Sequence, residues 1–323
     1  MCNAWKCWTG KGHGGRWVCV WLAMLAAGAC DRQLADPSPS GAAAAKAMIM
    51  DGAGRSVDIS APPKRIVSLS AAATDILVAV GAQAELVGAT RYCVIPPTEE
   101  KHVTRIGGVA DPDYERILAL KPDFVVAPWL ADKTLQDKIA ALGLPLVVLH
   151  PEGLDGVLAD IRMLGRATGH AASGEAVAKG IEDVRALAAN RWQKVPEQMR
   201  PRVLVCMDSV SPAPGSYVDD LIAAAGGRNV LPRATKAWVE VSPESVLQLS
   251  PDLIIVIPAA DAVLENPVVV KIRPGGRTPV VTVPDGEVFY HPGPGVGRAL
   301  WALARAIYPA RFPESEAPLT GER

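Results

Sequence analysis

Two glutamates carry the same signature at two places in the chain. Glu115-x-x-Leu118-x-Leu120-x-Pro122-Asp123 runs into Phe-Val-Val, and Glu244-x-x-Leu247-x-Leu249-x-Pro251-Asp252 runs into Leu-Ile-Ile, with every spacing kept. A good helix cap stands two residues before each Glu, Asp113 in one half and Ser242 in the other. Each carboxylate therefore falls in the first turn of a helix, where the dipole stabilises it by about 0.3–1 kcal/mol. Two exposed carboxylates at equivalent positions also suit docking, because such charges steer a cationic partner and fix its register more than they add affinity. A repeat this regular indicates a chain built from two homologous halves.

A second set of side chains is suited to holding a flat, partly apolar molecule. Tyr92 follows a short apolar run, Trp129 follows Phe124–Ala127, and Trp238 lies between Gly227 and the Glu244 helix. All three are expected in loops. An aromatic ring removes about 150–250 Å² from water when covered, so two such walls supply much of the ~8 kcal/mol of micromolar binding. The segments Ser68–Ala72, Ser211–Ser216 and Phe289–Pro292 follow or flank strand ends as well. They add Ser70, Tyr217, Tyr290 and His291 as candidate ligand contacts. Arg298 opens the final helix, a poor place for a cation on dipole grounds, and is a candidate for the same reason. Trp192 and Trp301 sit on helical stripes and are expected in the core.

Catalytic signatures are missing. There is no Gly-x-Ser-x-Gly, no phosphate loop and no His-Glu-x-x-His. His102, His150, His170 and His291 form no pair with metal-ligand spacing. Neither a catalytic residue nor a bound metal is expected. Beyond the first 30 residues only Cys93 and Cys206 remain, which is no disulfide framework. The formal charge is −1 over 323 residues and no basic run occurs, so nucleic acid is not an expected partner.

The elements that must position these groups alternate in type. Strands are predicted at Arg65–Leu69, Leu86–Ala89, Phe124–Ala127 and Leu146–Leu149, and then at Arg202–Met207, Leu253–Ile257 and Val280–Val283. Helices are predicted at Thr74–Val80, Asp113–Leu120, Leu135–Leu142, Tyr217–Ala225, Glu244–Leu249 and Arg298–Ile307. The alternation implies α/β lobes with mostly parallel sheets covered on both faces, and ligands bind such sheets beyond the carboxyl ends of the strands. Val177, Ile181, Val184 and Leu187 keep helical spacing between the halves, from about Ala171 to Lys194. That helix spans about 36 Å and would join the lobes as one stiff rod. A ligand cleft between the lobes, a small closure and a monomer are the expectation.

The first residues read as an export signal. Lys6, Lys11 and Arg16 precede an apolar run from Trp17 to Ala29, too short for a stable span, which ends in Ala27-Gly28-Ala29-Cys30. Small residues before a Cys resemble a bacterial lipoprotein cleavage site, with Cys30 lipidated. Asp31 behind it resembles an inner-membrane retention signal. The division expected is 1–29 signal, 30–48 tether, 49–170 N-terminal lobe, 171–196 interlobe helix, 197–312 C-terminal lobe and 313–323 tail.

Several motifs in register carry a family resemblance over residues 62–310. They are Arg65-Ile-Val-Ser-Leu, Tyr92-Cys93-x-x-Pro96, Ile106-Gly107-Gly108, the two Glu motifs, Asp220-Leu-Ile-x-x-Ala-Gly-Gly227 and His291-Pro-Gly-Pro. Together they resemble the periplasmic binding proteins with a helical backbone, which serve ABC importers of cobalamin, siderophores and haem. The Tyr-Cys-x-x-Pro segment and Trp238 lean towards the cobalamin-binding branch. The resemblance implies a dimeric permease as partner, docked through Glu115 and Glu244, a corrinoid or iron chelate as cargo rather than a cofactor, and a periplasmic location.

Overall fold

The computed structural model describes residues 48–59, 61–129, 131–208, 210–232, 236–258 and 278–316. The expected signal, most of the tether with Cys30, and the end of the tail lie outside them.

A hairpin of β1 (Met48–Met50) and β2 (Ser56–Asp58) opens the described chain. The first sheet has the order β5-β4-β3-β6-β7, with β3 Ile66–Ser68, β4 Leu86–Ala89, β5 Thr104–Arg105, β6 Phe124–Ala127 and β7 Leu146–Val148. All its pairings are parallel. Its connecting helices are α1 (Ala71–Val80), α2 (Tyr114–Ala119) and α3 (Lys133–Ala141). The second sheet is mixed. Parallel pairing joins β8 (Arg202–Met207) to β10 (Arg228–Asn229) and to β12 (Leu253–Ile257), which in turn pairs β13 (Val280–Thr282). A hairpin-like flank of β9 (Val210–Pro212) and β11 (Trp238–Glu240) runs antiparallel. The helices α6 (Tyr217–Ala224), α7 (Pro243–Leu249) and α8 (Val296–Ile307) complete this half.

Burial on both faces explains the unbroken apolar strands. In β8, Val203, Val205 and Met207 enter the large central core while Leu204 and Cys206 enter a separate outer core. β12 divides the same way, Leu253, Ile255 and Ile257 against Ile254 and Val256. In the first sheet, Ile66, Phe124 and Val126 face the central core and Val67 and Val125 the outer one. Period-two alternation thus sorts residues between two apolar layers rather than between core and water.

The repeat turns out to be a joint between helix and strand. Asp123 accepts the N–H groups of Lys64 (2.8 Å) and Arg65 (2.9 Å), and Asp252 accepts that of Arg202 (2.8 Å). The Arg65 and Arg202 side chains donate to the last carbonyls of the preceding helices, Leu120 and Leu249, each at 2.7 Å. Lys121 and Ser250, equivalent in the repeat, are both left-handed with φ 46°. The same tight turn is built twice, with carbonyls that would otherwise be orphaned held by an arginine from the neighbouring strand.

Two long helices bind the halves together. α4 (Gly153–Ala167) and α5 (Ala171–Trp192) pack so closely that Gly165 and Gly174 meet backbone to backbone. The 22 residues of α5 make a rod of about 33 Å. Ile76 and Leu77 of α1, Ile161 of α4, Ile181 of α5, Leu221 of α6 and Leu300 of α8 share one buried cluster. The apolar core is thus continuous through both halves. Among the described residues no helix is long and apolar enough to cross a membrane.

Candidate functional site

The carboxyl ends of β8 and β12 carry a connected polar and aromatic cluster. Tyr290 donates its hydroxyl to Asp208 Oδ2 at 3.0 Å, with the Ile257 carbonyl 3.4 Å away. Burial, with help from the Asp208 carboxylate, pushes the Tyr290 phenol well above its ordinary range. Beside it, Tyr217 donates to the Phe289 carbonyl and packs its ring 5.9 Å from that of Trp238. Tyr217 is buried, so it backs Trp238 instead of presenting a surface of its own.

This cluster reaches the first half through His291. Its Nδ1 lies 3.4 Å from Oδ2 of Asp75, which is the one charged residue in the sequence of α1. Ser70 caps α1, accepting the Ala73 N–H at 3.2 Å, and its own position directly beyond β3 is buried. The pairing with Asp75 raises the His291 pKa against the opposing effect of burial, and Glu287 adds a smaller push upward. The sign follows from linkage. A raised folded value means that the ion pair contributes fully below the unfolded pKa near 6.5 and is lost as pH rises through the folded value. Urea midpoints of the wild type are therefore expected to fall between pH 6 and pH 8, and His291→Gln is expected to flatten that fall. An unchanged slope in the variant would assign the pH dependence to other groups.

At the first sheet the candidate aromatics stand in the open. Tyr92, beyond β4, is 63% exposed and Trp129, beyond β6, is 38% exposed. Arg91 lies 5.7 Å over the Tyr92 ring and bonds Asp111, which holds the ring against the loop. Arg105 steadies the same loop by donating to the Thr90 carbonyl at 2.9 Å and the Cys93 carbonyl at 2.7 Å. Cys93 and Cys206 are both buried and free, and burial pushes the Cys206 thiol up to about 11. Cys206 is therefore held as the thiol rather than as the nucleophilic thiolate.

Some placements differ from the sequence reading. Trp238 is not in a loop but begins β11, paired with Pro212 of β9, and is half-buried. Ser211 likewise lies in β9 and is buried. Both strands are three residues long, too short for periodicity to declare them. Arg298 lies in the first turn of α8, 3.5 Å from Asp285, which offsets its unfavourable place at a helix start. Asp75 and Asp208 were missed. A lone Asp within an apolar helix, as in Ala-Ala-Ala-Thr-Asp-Ile-Leu, was the signal available for Asp75.

Glu115 and Glu244 are exposed, in the first turns of α2 and α7. Asp113 caps α2 through the Arg116 N–H (3.0 Å), and Ser242 caps α7 in a reciprocal capping box with Ser245. Both helices start from the carboxyl edges of their sheets. The Asp113 N–H bonds the Ile106 carbonyl just beyond β5, and Glu240 of β11 pairs with Val210, the partner of Met207 at the end of β8. A surface cavity of about 300 Å³ between β11 and α7 is lined by Leu231, Val239, Glu240, Ser245 and Gln248. None of the candidate ligand contacts lines it.

Two similar lobes with mostly parallel sheets, a helical backbone between them and polar and aromatic groups at the strand ends define a two-lobed solute-binding fold. The periplasmic binding protein family model matches residues 66–281, more than half of the chain, and the chain belongs to that family. A vitamin B12-binding protein of Pectobacterium atrosepticum is 26% identical over 239 residues, covering 72% of this chain and 84% of that protein. A cobalamin-binding protein of Halobacterium salinarum is 25% identical over 216 residues, 65% of this chain but only 58% of the haloarchaeal protein. Among solved structures, the molybdate periplasmic binding protein of Haemophilus influenzae superposes with a TM-score of 0.70 at 24% identity, covering 82% of this chain and 92% of that one. A periplasmic haem-binding protein from Roseiflexus superposes at 0.63 with 28% identity, covering 77% and 99%.

Proposed function

We propose that this chain is the extracytoplasmic solute-binding component of an ABC importer, capturing cobalamin or a related corrinoid and handing it to a dimeric permease in the inner membrane. Lipidated Cys30 would tether it to the membrane, and Glu115 and Glu244 would meet cationic groups on the permease. No step in this role is catalytic. The observation that carries the reading is the exposure of Tyr92 and Trp129 at the strand ends of one sheet, while Trp238 is backed by Tyr217 on the other. A solvent-facing Tyr and Trp in one lobe leave uncovered apolar area that a corrinoid face would cover. The B12-binding relatives support the same choice.

A haem or ferric-siderophore cargo is the alternative, and the likeness to the Roseiflexus haem-binding protein supports haem. Tryptophan fluorescence separates the two. Cyanocobalamin is expected to quench at micromolar concentration or below, and Tyr92→Ala and Trp129→Ala each to weaken binding by about tenfold, the ~1.4 kcal/mol of a partly covered ring. Quenching by a ferric siderophore or haem, with none by cyanocobalamin at about tenfold higher concentration, would replace the corrinoid as cargo.

A further inference from the structure

We propose that Leu118 and Leu247 form the apolar half of a two-point docking surface, each seated in an apolar socket beside the cationic group that meets the neighbouring glutamate on a two-fold symmetric permease. The proposal deepens the docking role given above to Glu115 and Glu244 and rests on it.

The argument begins with the repeat. Ile117 and Val246, at equivalent positions, are 0% and 2% exposed and anchor the short helices α2 and α7 to their lobes. The next residue in each case turns outward, Leu118 at 44% and Leu247 at 61%. A single exposed leucine is ordinary on a protein surface. Here the same residue is left exposed at the same position of both halves, three residues after an exposed carboxylate. Positions i and i+3 share a helix face, so each lobe presents one patch made of a carboxylate and an isobutyl group. The structural joint does not require the leucine, since the bonds that build it come from Asp123, Asp252, Arg65 and Arg202. Two like patches on one chain fit a partner that is itself duplicated. The complement on each subunit is a cation flanked by an apolar hollow, with the leucine desolvated at the centre and the ion pair fixing register.

The test uses the full-length chain expressed with its permease. Leu118→Ser/Leu247→Ser is expected to keep cyanocobalamin quenching and the thermal midpoint of the wild type, since surface changes of this kind cost under about 0.5 kcal/mol. The same variant is expected to lower co-purification with the permease and radiolabelled cobalamin uptake by more than about tenfold. Each single variant should fall between, as two-point attachment requires. p-Benzoylphenylalanine placed at position 118 or at position 247 should crosslink the same permease polypeptide, identified by mass spectrometry. The probe at position 187, an exposed leucine of α5, should not. Wild-type co-purification of the leucine variant, with Glu115→Ala/Glu244→Ala defective, overturns the apolar half and leaves the glutamate role standing. Wild-type behaviour of both variants overturns both. Labelling at 118 and 247 no stronger than at 187 also overturns the proposal, and that readout does not depend on which cargo is carried.

Discussion

Glu115→Ala/Glu244→Ala is expected to bind its cargo like the wild type and to deliver almost none of it. Both side chains lie in exposed first turns, and the cluster's contacts run from Tyr290 to Asp208, from Tyr217 to the Phe289 carbonyl and from Tyr217 to Trp238, so truncating the glutamates leaves them in place. Loss of a charge at a helix start costs each lobe about 0.3–1 kcal/mol, too little to unfold it. Docking is different, because both carboxylates act on one partner. Removing one leaves a single-point contact, and removing both loses the orientation as well as the attraction. Close interfacial charge pairs couple by about 1.5 kcal/mol or more, so the double variant should transport at least about a hundredfold less efficiently. Uptake of labelled cobalamin by whole cells, set beside fluorescence titration of the purified chain, checks both halves of the expectation. Raising ionic strength should weaken wild-type docking more than that of the variant, since exposed charges are screened within about 8–10 Å. Wild-type uptake by the double variant would remove the glutamates from docking.

The fold was legible where the physics was local. β4, β6, β8 and β12 have the bounds that the sequence predicts for them. α2 starts immediately after its cap at Asp113, and α7 after Ser242. α1 was underestimated because Ala71 to Ala73 carry little apolar signal, although Ser70 caps the helix with a bond that its residue type already favoured. β5, β9, β10 and β11 are two or three residues long; β5, β10 and β11 are held by partners 16 or more residues away, and β9 is held by β11 as well as by the adjacent end of β8. No period can announce a strand shorter than the period needs. The site divides along the same line. Residues placed by strand-end reasoning, such as Tyr92, Trp129 and Tyr290, do lie beyond strand ends. The bonds between elements, Asp75 to His291 and Tyr290 to Asp208, depend on tertiary approach and leave no spacing in the sequence.

The largest effect on stability is expected from one missing methyl group. Gly153 opens α4 with φ 65°, and a Cβ there would stand 2.0 Å from Oδ2 of Asp220. That oxygen accepts the Leu154 N–H at 3.0 Å, while Glu152 makes no capping bond of its own. A helix that follows the first sheet is thus capped by a carboxylate from α6, which belongs to the second. Gly153→Ala adds left-handed strain of about 1–2 kcal/mol and expels the cap, worth about 0.5–2 kcal/mol. The sum, about 1.5–4 kcal/mol, should lower the thermal midpoint by roughly 3–8 °C in a chain of this size. Asp220→Ala should cost only the cap. Because the cap can be lost once, Gly153→Ala/Asp220→Ala should be barely less stable than Gly153→Ala alone, with a coupling equal to the cap. Costs that simply add in calorimetry would mean that the Asp220 bond does not hold α4, and that the halves are joined by their shared apolar core without this clasp.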